Sequence, residues 1–127
     1  MGPNELLDKG FIADSEIPWY HVVSQSGDES CTLTTAAGGD WLGICQEEAS
    51  ERDVSDGRVV RVRPMGISRG VAGAIFSRRS RLAANDEGQL VVAGAGDYVI
   101  GIALTASTAV GDWVDVQLTP GVQNPAL

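Results

Sequence analysis

The chain has 127 residues, 43% of them hydrophobic and 16 of them glycine, with a formal charge of −8 at pH 7. That length suits one domain, able to bury about two-thirds of the surface its unfolded chain exposes. No apolar run approaches the ~20 residues of a membrane-spanning helix, and an acidic whole argues against general nucleic-acid binding, so neither membrane nor nucleic acid is an expected partner.

Met1-Gly2-Pro3-Asn4-Glu5 has no basic region and no apolar segment behind it, so a soluble chain made in a reducing compartment is expected. Residues 1–19 carry the apolar groups Leu6-Leu7, Phe11-Ile12 and Ile17-Pro18-Trp19 between acids, with neither a helical nor a strand period. They read as an extended N-terminal arm lying on a partner or a neighbouring copy. Such an arm predicts that deleting residues 2–19 leaves the remaining domain folded.

Residues 20–121 read as one β-domain, and 122–127 as a short tail. Tyr20 to Ser24 and Cys31 to Thr35 flank a hairpin turn at Gln25–Glu29. Trp41 to Gln46 is a further strand, and Glu47 to Asp56 a polar loop with room for one helical turn. In Val60-Arg61-Val62-Arg63 the alternation puts the valines on one face and the arginines on the other, and Pro64 ends the strand. Gly66, Gly70 and Gly73 break up the stretch that follows, against a long helix over 67–81. Leu82 to Ala93 is a hairpin around Asn85-Asp86-Glu87-Gly88, whose glycine takes a positive φ. Val114, Val116 and Leu118 face inward, with Asp115 and Gln117 outward.

A phrase recurs. Gly96-Asp97-Tyr98-Val99-Ile100-Gly101 answers Gly39-Asp40-Trp41-Leu42-Gly43, Ala106-Ser107 answers Ala49-Ser50, and Val110 to Gln117 answers Asp56 to Arg63. The chain thus repeats a pair of strands, over 39–66 and 96–121. Strands of about five residues with turns every eight to twelve give an all-β fold, a small sandwich or barrel of short antiparallel strands with little helix.

Chemistry is harder to find. His21 is the one histidine, and its place in Tyr20-His21-Val22-Val23 points it outward, away from any nucleophile motif. Cys31 and Cys45 are too few for a disulfide framework or a zinc site and read as small buried apolar residues. Glu51 to Gly57 comes nearest to a calcium loop, but Arg52 intrudes and the closing acid is missing. Gly94-Ala95-Gly96 begins like a dinucleotide fingerprint, yet Val99 stands where its third glycine belongs. Neither a catalytic residue, a cofactor nor a metal is expected.

Charge is segregated. Arg58 to Arg81 holds seven arginines and no acid, whereas residues 1–57 hold twelve acids against two basic residues. Arg61 and Arg63 share a strand face, and Arg78, Arg79 and Arg81 follow. This block reads either as a solvated basic face paired with acids such as Asp115 or as a docking face for an acidic protein surface. Nucleic acid would need interleaved aromatics, and Phe76 alone is available.

The order of these phrases, with Trp41-Leu42-Gly43-Ile44, Val59 to Val62, Gly66, Ala74-Ile75, Arg81-Leu82, Asn85 to Gly88, Gly101 to Leu104 and Gly111 to Leu118, resembles the capsid decoration (cement) proteins of tailed bacteriophages over residues 20–118. Arg78-Arg79-Ser80 departs from the pattern, which offers a glycine before the strand. The resemblance implies a homotrimer on the outer surface of the virion capsid at threefold or quasi-threefold positions, clamping adjacent subunits of the major capsid protein without catalysis. Leu6, Leu7, Phe11, Ile12, Trp19, Arg61, Arg63, Arg78 and Arg79 are the candidate capsid- or protomer-contacting residues. The alternative is a phage surface-displayed β-domain that binds host cell-wall carbohydrate through Trp41 and Trp113.

Overall fold

The computed structural model describes residues 8–125. In chain order it contains β1 (Lys9–Ala13), β2 (Val22–Gly27), β3 (Ser30–Leu33), β4 (Gly43–Cys45), α1 (Glu51–Ser55), β5 (Val59–Arg63), β6 (Gly66–Val71), β7 (Arg81–Ala84), β8 (Leu90–Val92), β9 (Gly101–Ala103) and β10 (Trp113–Leu118). The all-β expectation holds. The one helix among the described residues is a single short segment, its N-terminus capped reciprocally by Ser50 and Asp53.

The strands fall into two sets of five. The first closes into a barrel in the order β1-β3-β2-β4-β5, and the second forms a sheet in the order β6-β10-β9-β7-β8. Followed from β1 in the other direction, the barrel runs β1-β5-β4-β2-β3, which is the path of the second set. One five-strand unit is therefore used twice. Even the closure is shared: β1 meets β3 in parallel at Ala13–Cys31, and just beyond β6 Ala72 meets Leu90 of β8 in a parallel bridge. The Ile17–Ala49 bridge of the first half recurs as Phe76–Ser107 in the second. The repetition thus spans nearly the whole described chain, well beyond 39–66 and 96–121, and it aligns Ala49 with Ser107 rather than with Ala106.

The expected arm is not an arm from Lys9 onward. β1 pairs with β5 on one side and β3 on the other. Phe11, Ala13 and Ile17 are buried in the barrel with Val23, Cys31, Cys45, Val60 and Val62. The apolar pairs that break a simple period do so because Phe11 points in and Ile12 points out of a closed barrel. Burying a phenylalanine stabilises by roughly 1.5–3 kcal/mol, which favours docking this segment on its own domain.

A second core packs Leu82, Leu90, Ile100, Val114 and Val116, and recruits Val22 and Ile44 from the first half. Backbone hydrogen bonds also cross between the halves: Val22 N–H donates to Gly88 O (2.8 Å), and Gly38 N–H donates to Ala84 O (2.8 Å). The two units fill their interiors differently. Phe11 and Cys31 occupy the places that Gly70 and Leu90 hold in the second half, since Phe11 faces Val60 as Gly70 faces Val114. A Cβ on Gly70 would collide with the Leu90 side chain. Large and small residues have exchanged places across the same contact, keeping the volume filled.

Candidate interaction surface

Arg61 and Arg63 do share the outer face of β5, but acids of the same chain hold them. The Arg63 guanidinium makes a bidentate pair with Asp8 (2.8 and 3.2 Å) and donates to the Ile67 carbonyl (2.9 Å). Arg61 lies 3.5 Å from Asp8 and 3.9 Å from Glu47, and its backbone N–H donates to Glu47 at 2.7 Å. Arg58 bridges Glu47 (3.1 Å) and Asp53 (3.2 Å). The Ser50 backbone N–H, with Arg58 adding to it, holds the Asp53 carboxyl below its ordinary range. The pairing expected with Asp115 is not among the ion pairs of the described residues. β5 therefore presents a charge-balanced network.

Arg78 and Arg79 differ. Both are exposed, and no ion pair involves them among the described residues. Arg79 has φ +70°, a left-handed conformation that glycine favours, and it lies within Arg78-Arg79-Ser80, the stretch that departs from the decoration-protein pattern by lacking a glycine. Tyr20, with φ +58°, is its counterpart in the first half. Each donates its N–H to the fourth strand of its unit, Tyr20 to Cys45 O (3.1 Å) and Arg79 to Ala103 O (2.8 Å).

The remaining candidates scatter. Leu6 and Leu7 lie outside the described residues. Phe11 is core, whereas Ile12 is exposed beside Val59, its register partner. Trp19 is exposed and begins an aromatic run that residue patterns had not joined. Its ring centroid lies 5.8 Å from Tyr20, which meets Trp113 edge-on at 5.1 Å, and the Arg69 guanidinium sits over Trp113 at 5.5 Å. Strand alternation does place Trp113 outward beside Asp115; nothing in the sequence announces that a left-handed Tyr20 would turn toward it. Trp41 is no partner for Trp113 in this run: it is partly buried against the second core and donates its indole N–H to Val99 O (3.1 Å).

His21 is buried, not outward as expected, with Nδ1 2.9 Å from Trp19 O. The left-handed residue before it breaks the strand alternation that pointed it to solvent. Cys31 and Cys45 are free and buried, and burial pushes the Cys31 thiol up to about 12. A thiol so shifted stays protonated at neutral pH and is a poor nucleophile.

A shallow cleft of about 290 Å³ lies at the end of the first barrel, floored by Ile17, Pro18 and Ala49 and rimmed by Glu16 and Glu48. A second, of about 400 Å³, lies between β5 and β6, lined by Arg61, Arg63, Ile67, Arg69 and Asp115.

No family model matches this sequence, and no curated protein matches it. Among solved structures, the chain is similar to the head fiber gp8.5 N base of bacteriophage phi29, with a TM-score of 0.70 at 17% identity over 91% of this chain and 95% of that one. The likeness is one of fold. It takes in nearly all of both chains, so both halves of the duplicated body belong to it.

Proposed function

We propose that this protein is a non-catalytic structural component of a phage virion, bound to the outer surface of the head as a homotrimer and clamping adjacent major capsid subunits. The observation that carries this reading is the near-complete correspondence in fold with the base of a phage head fiber. It agrees with the decoration-protein resemblance carried by separate sequence phrases from Trp41 to Leu118. A duplicated β-body with two cores offers a rigid mount. A trimer engaging three capsid sites at once gains avidity of about 10²–10⁴ over a single contact, and binding the assembled shell alone stabilises it by mass action. Cosedimentation with empty capsids of the parent phage tests this. Saturable binding that raises the temperature of capsid disruption is expected; a protein left in the supernatant overturns it.

The Trp19–Tyr20–Trp113 run, whose two tryptophans are exposed, favours a second reading, a platform for cell-wall carbohydrate. Retention of the protein on purified host cell walls, lost in Trp113→Ala, is its test.

A further inference from the structure

The internal duplication supplies a control that a single fold does not. Equivalent positions of the two halves meet the same backbone demands, so where their exposed side chains differ, folding does not require the difference. The Ile17–Ala49 and Phe76–Ser107 bridges fix the equivalence at one end of each unit. There, Glu16 of the first half corresponds to Ile75 of the second, Trp19 to Arg78, and Tyr20 to Arg79. The first half ends in a shallow cleft whose apolar surface is exposed chiefly at Pro18, over buried Ile17 and Ala49, with an acidic rim of Glu16 and Glu48. At the same place the second half projects Ile75, 69% exposed, beside exposed Arg78 and Arg79.

An exposed isoleucine flanked by arginines is the complement of an apolar cleft flanked by glutamates. None of these four charges forms an ion pair within the chain among the described residues. We infer that the two ends are the two sides of one contact between copies of this chain, with Ile75 of one copy seated in the Ile17–Pro18–Ala49 cleft of the next and Arg78 and Arg79 facing Glu16 and Glu48. The occupant is a second copy because a patch of opposite charge with an exposed apolar side chain is present on the same molecule. The two patches differ, so the contact is head-to-tail and closes into a ring where its rotation permits. This deepens the homotrimer reading, on which it rests, by naming the surfaces that meet.

The experiment is sedimentation velocity on the purified full-length chain, without capsids, over a wide concentration range at low salt. Arg78→Glu with Arg79→Glu, and separately Glu16→Arg with Glu48→Arg, are expected to raise the concentration needed for assembly by about tenfold or more, as loss of interface anchors does. The quadruple variant restores the pairing with its polarity inverted, and the wild-type oligomer is expected to return. All four positions involved are exposed, and unchanged thermal unfolding of each variant excludes misfolding as the cause. A wild-type chain monomeric throughout overturns this contact and the trimer together. An oligomer indifferent to either reversal, or not restored in the quadruple variant, overturns the contact and leaves the trimer standing. A monomer whose capsid cosedimentation is lost with Arg78→Glu and Arg79→Glu assigns the surface to a capsid subunit, and overturns it as well.

Discussion

Gly43 and Gly101 are the same residue of a repeated unit, each pressed against the strand that follows it. A Cβ on Gly43 would meet Arg63 O and Val62 Cγ1, and one on Gly101 would meet Gln117 O and Val116 Cγ2. A backbone carbonyl in a paired strand has nowhere to go. Gly43→Ala and Gly101→Ala are each expected to destabilise by about 1–3 kcal/mol or more, the usual cost of overpacking. Gly94→Ala, with only ordinary contacts at 3.4 Å, serves as the control and stays within about 0.5 kcal/mol of wild type. Urea denaturation of the three variants checks this.

Tyr20 and Arg79 share a left-handed backbone but not its justification. Arg79 is exposed, so Arg79→Gly removes about 1–2 kcal/mol of strain against the 0.5–1 kcal/mol of added chain entropy. A net gain of about 0.5–1 kcal/mol is expected. Tyr20→Gly removes the same strain but also the ring between Trp19 and Trp113, along with its buried area and an aromatic pair worth about 0.5–1.5 kcal/mol more. It is expected to lose stability. Opposite signs at equivalent positions, read by denaturant midpoints at low protein concentration, are the outcome to look for.

The exchange of volume between Phe11–Cys31 and Gly70–Leu90 makes a coupling measurable. Gly70→Ala alone collides with Leu90, whereas Leu90→Ala alone leaves a cavity at a cost of about 2–5 kcal/mol. Together each relieves the other. A double-mutant cycle is expected to give a favourable interaction of about 0.5–3 kcal/mol, the range for residues in contact. An additive double variant refutes the exchange.

What was legible in the sequence follows the same division. The runs of β5 and β10 announce themselves because each strand has one buried and one exposed face, and the phrases ending in Cys45 and Ala103 because they are repeated. The strands missed were β1 and β6, the same strand of the two units. β1 hides because its apolar residues sit next to each other, one facing the barrel interior and one facing solvent. β6 hides because Gly66 and Gly70 stand where apolar residues would mark a face, Gly70 for the sake of Leu90. The aromatic run and the complementary ends are three-dimensional facts, assembled from residues over 90 positions apart in the case of Trp19 and Trp113. The ion pairs of Arg61 and Arg63 were masked for a similar reason: the block lacks acids in sequence, but Asp8 and Glu47 reach it in space.

Acid sensitivity can be assigned to a turn. The Asp112 carboxylate accepts hydrogen bonds from Thr108 N–H (2.9 Å), Ala109 N–H (3.1 Å) and the Thr108 hydroxyl (3.1 Å). The two backbone donors hold its carboxyl below the ordinary value. A carboxyl whose folded pKa is depressed contributes stability above its unfolded pKa, about 3.9, and loses it as pH falls through the folded value. Asp112→Asn is therefore expected to lower the urea midpoint at pH 7, with the gap to wild type closing below about pH 4. A gap independent of pH assigns the loss to something other than the charge.

Truncation separates the chain's start into two parts. Removing residues 1–7 leaves every described strand pairing in place, and the barrel is expected to fold. Removing residues 1–19 takes β1 with it, baring the edges of both β3 and β5 and deleting Phe11, Ala13 and Ile17 from the core. Truncating one buried phenylalanine costs about 3–5 kcal/mol, and a domain of this size has only about 5–15 kcal/mol in total. The longer deletion is thus expected to abolish the folded state, not merely a binding function. Amide dispersion in NMR spectra, with far-ultraviolet circular dichroism, distinguishes the outcomes. A longer truncation that keeps the dispersed spectrum returns this segment to the role of a detachable arm and removes β1 from the barrel's account.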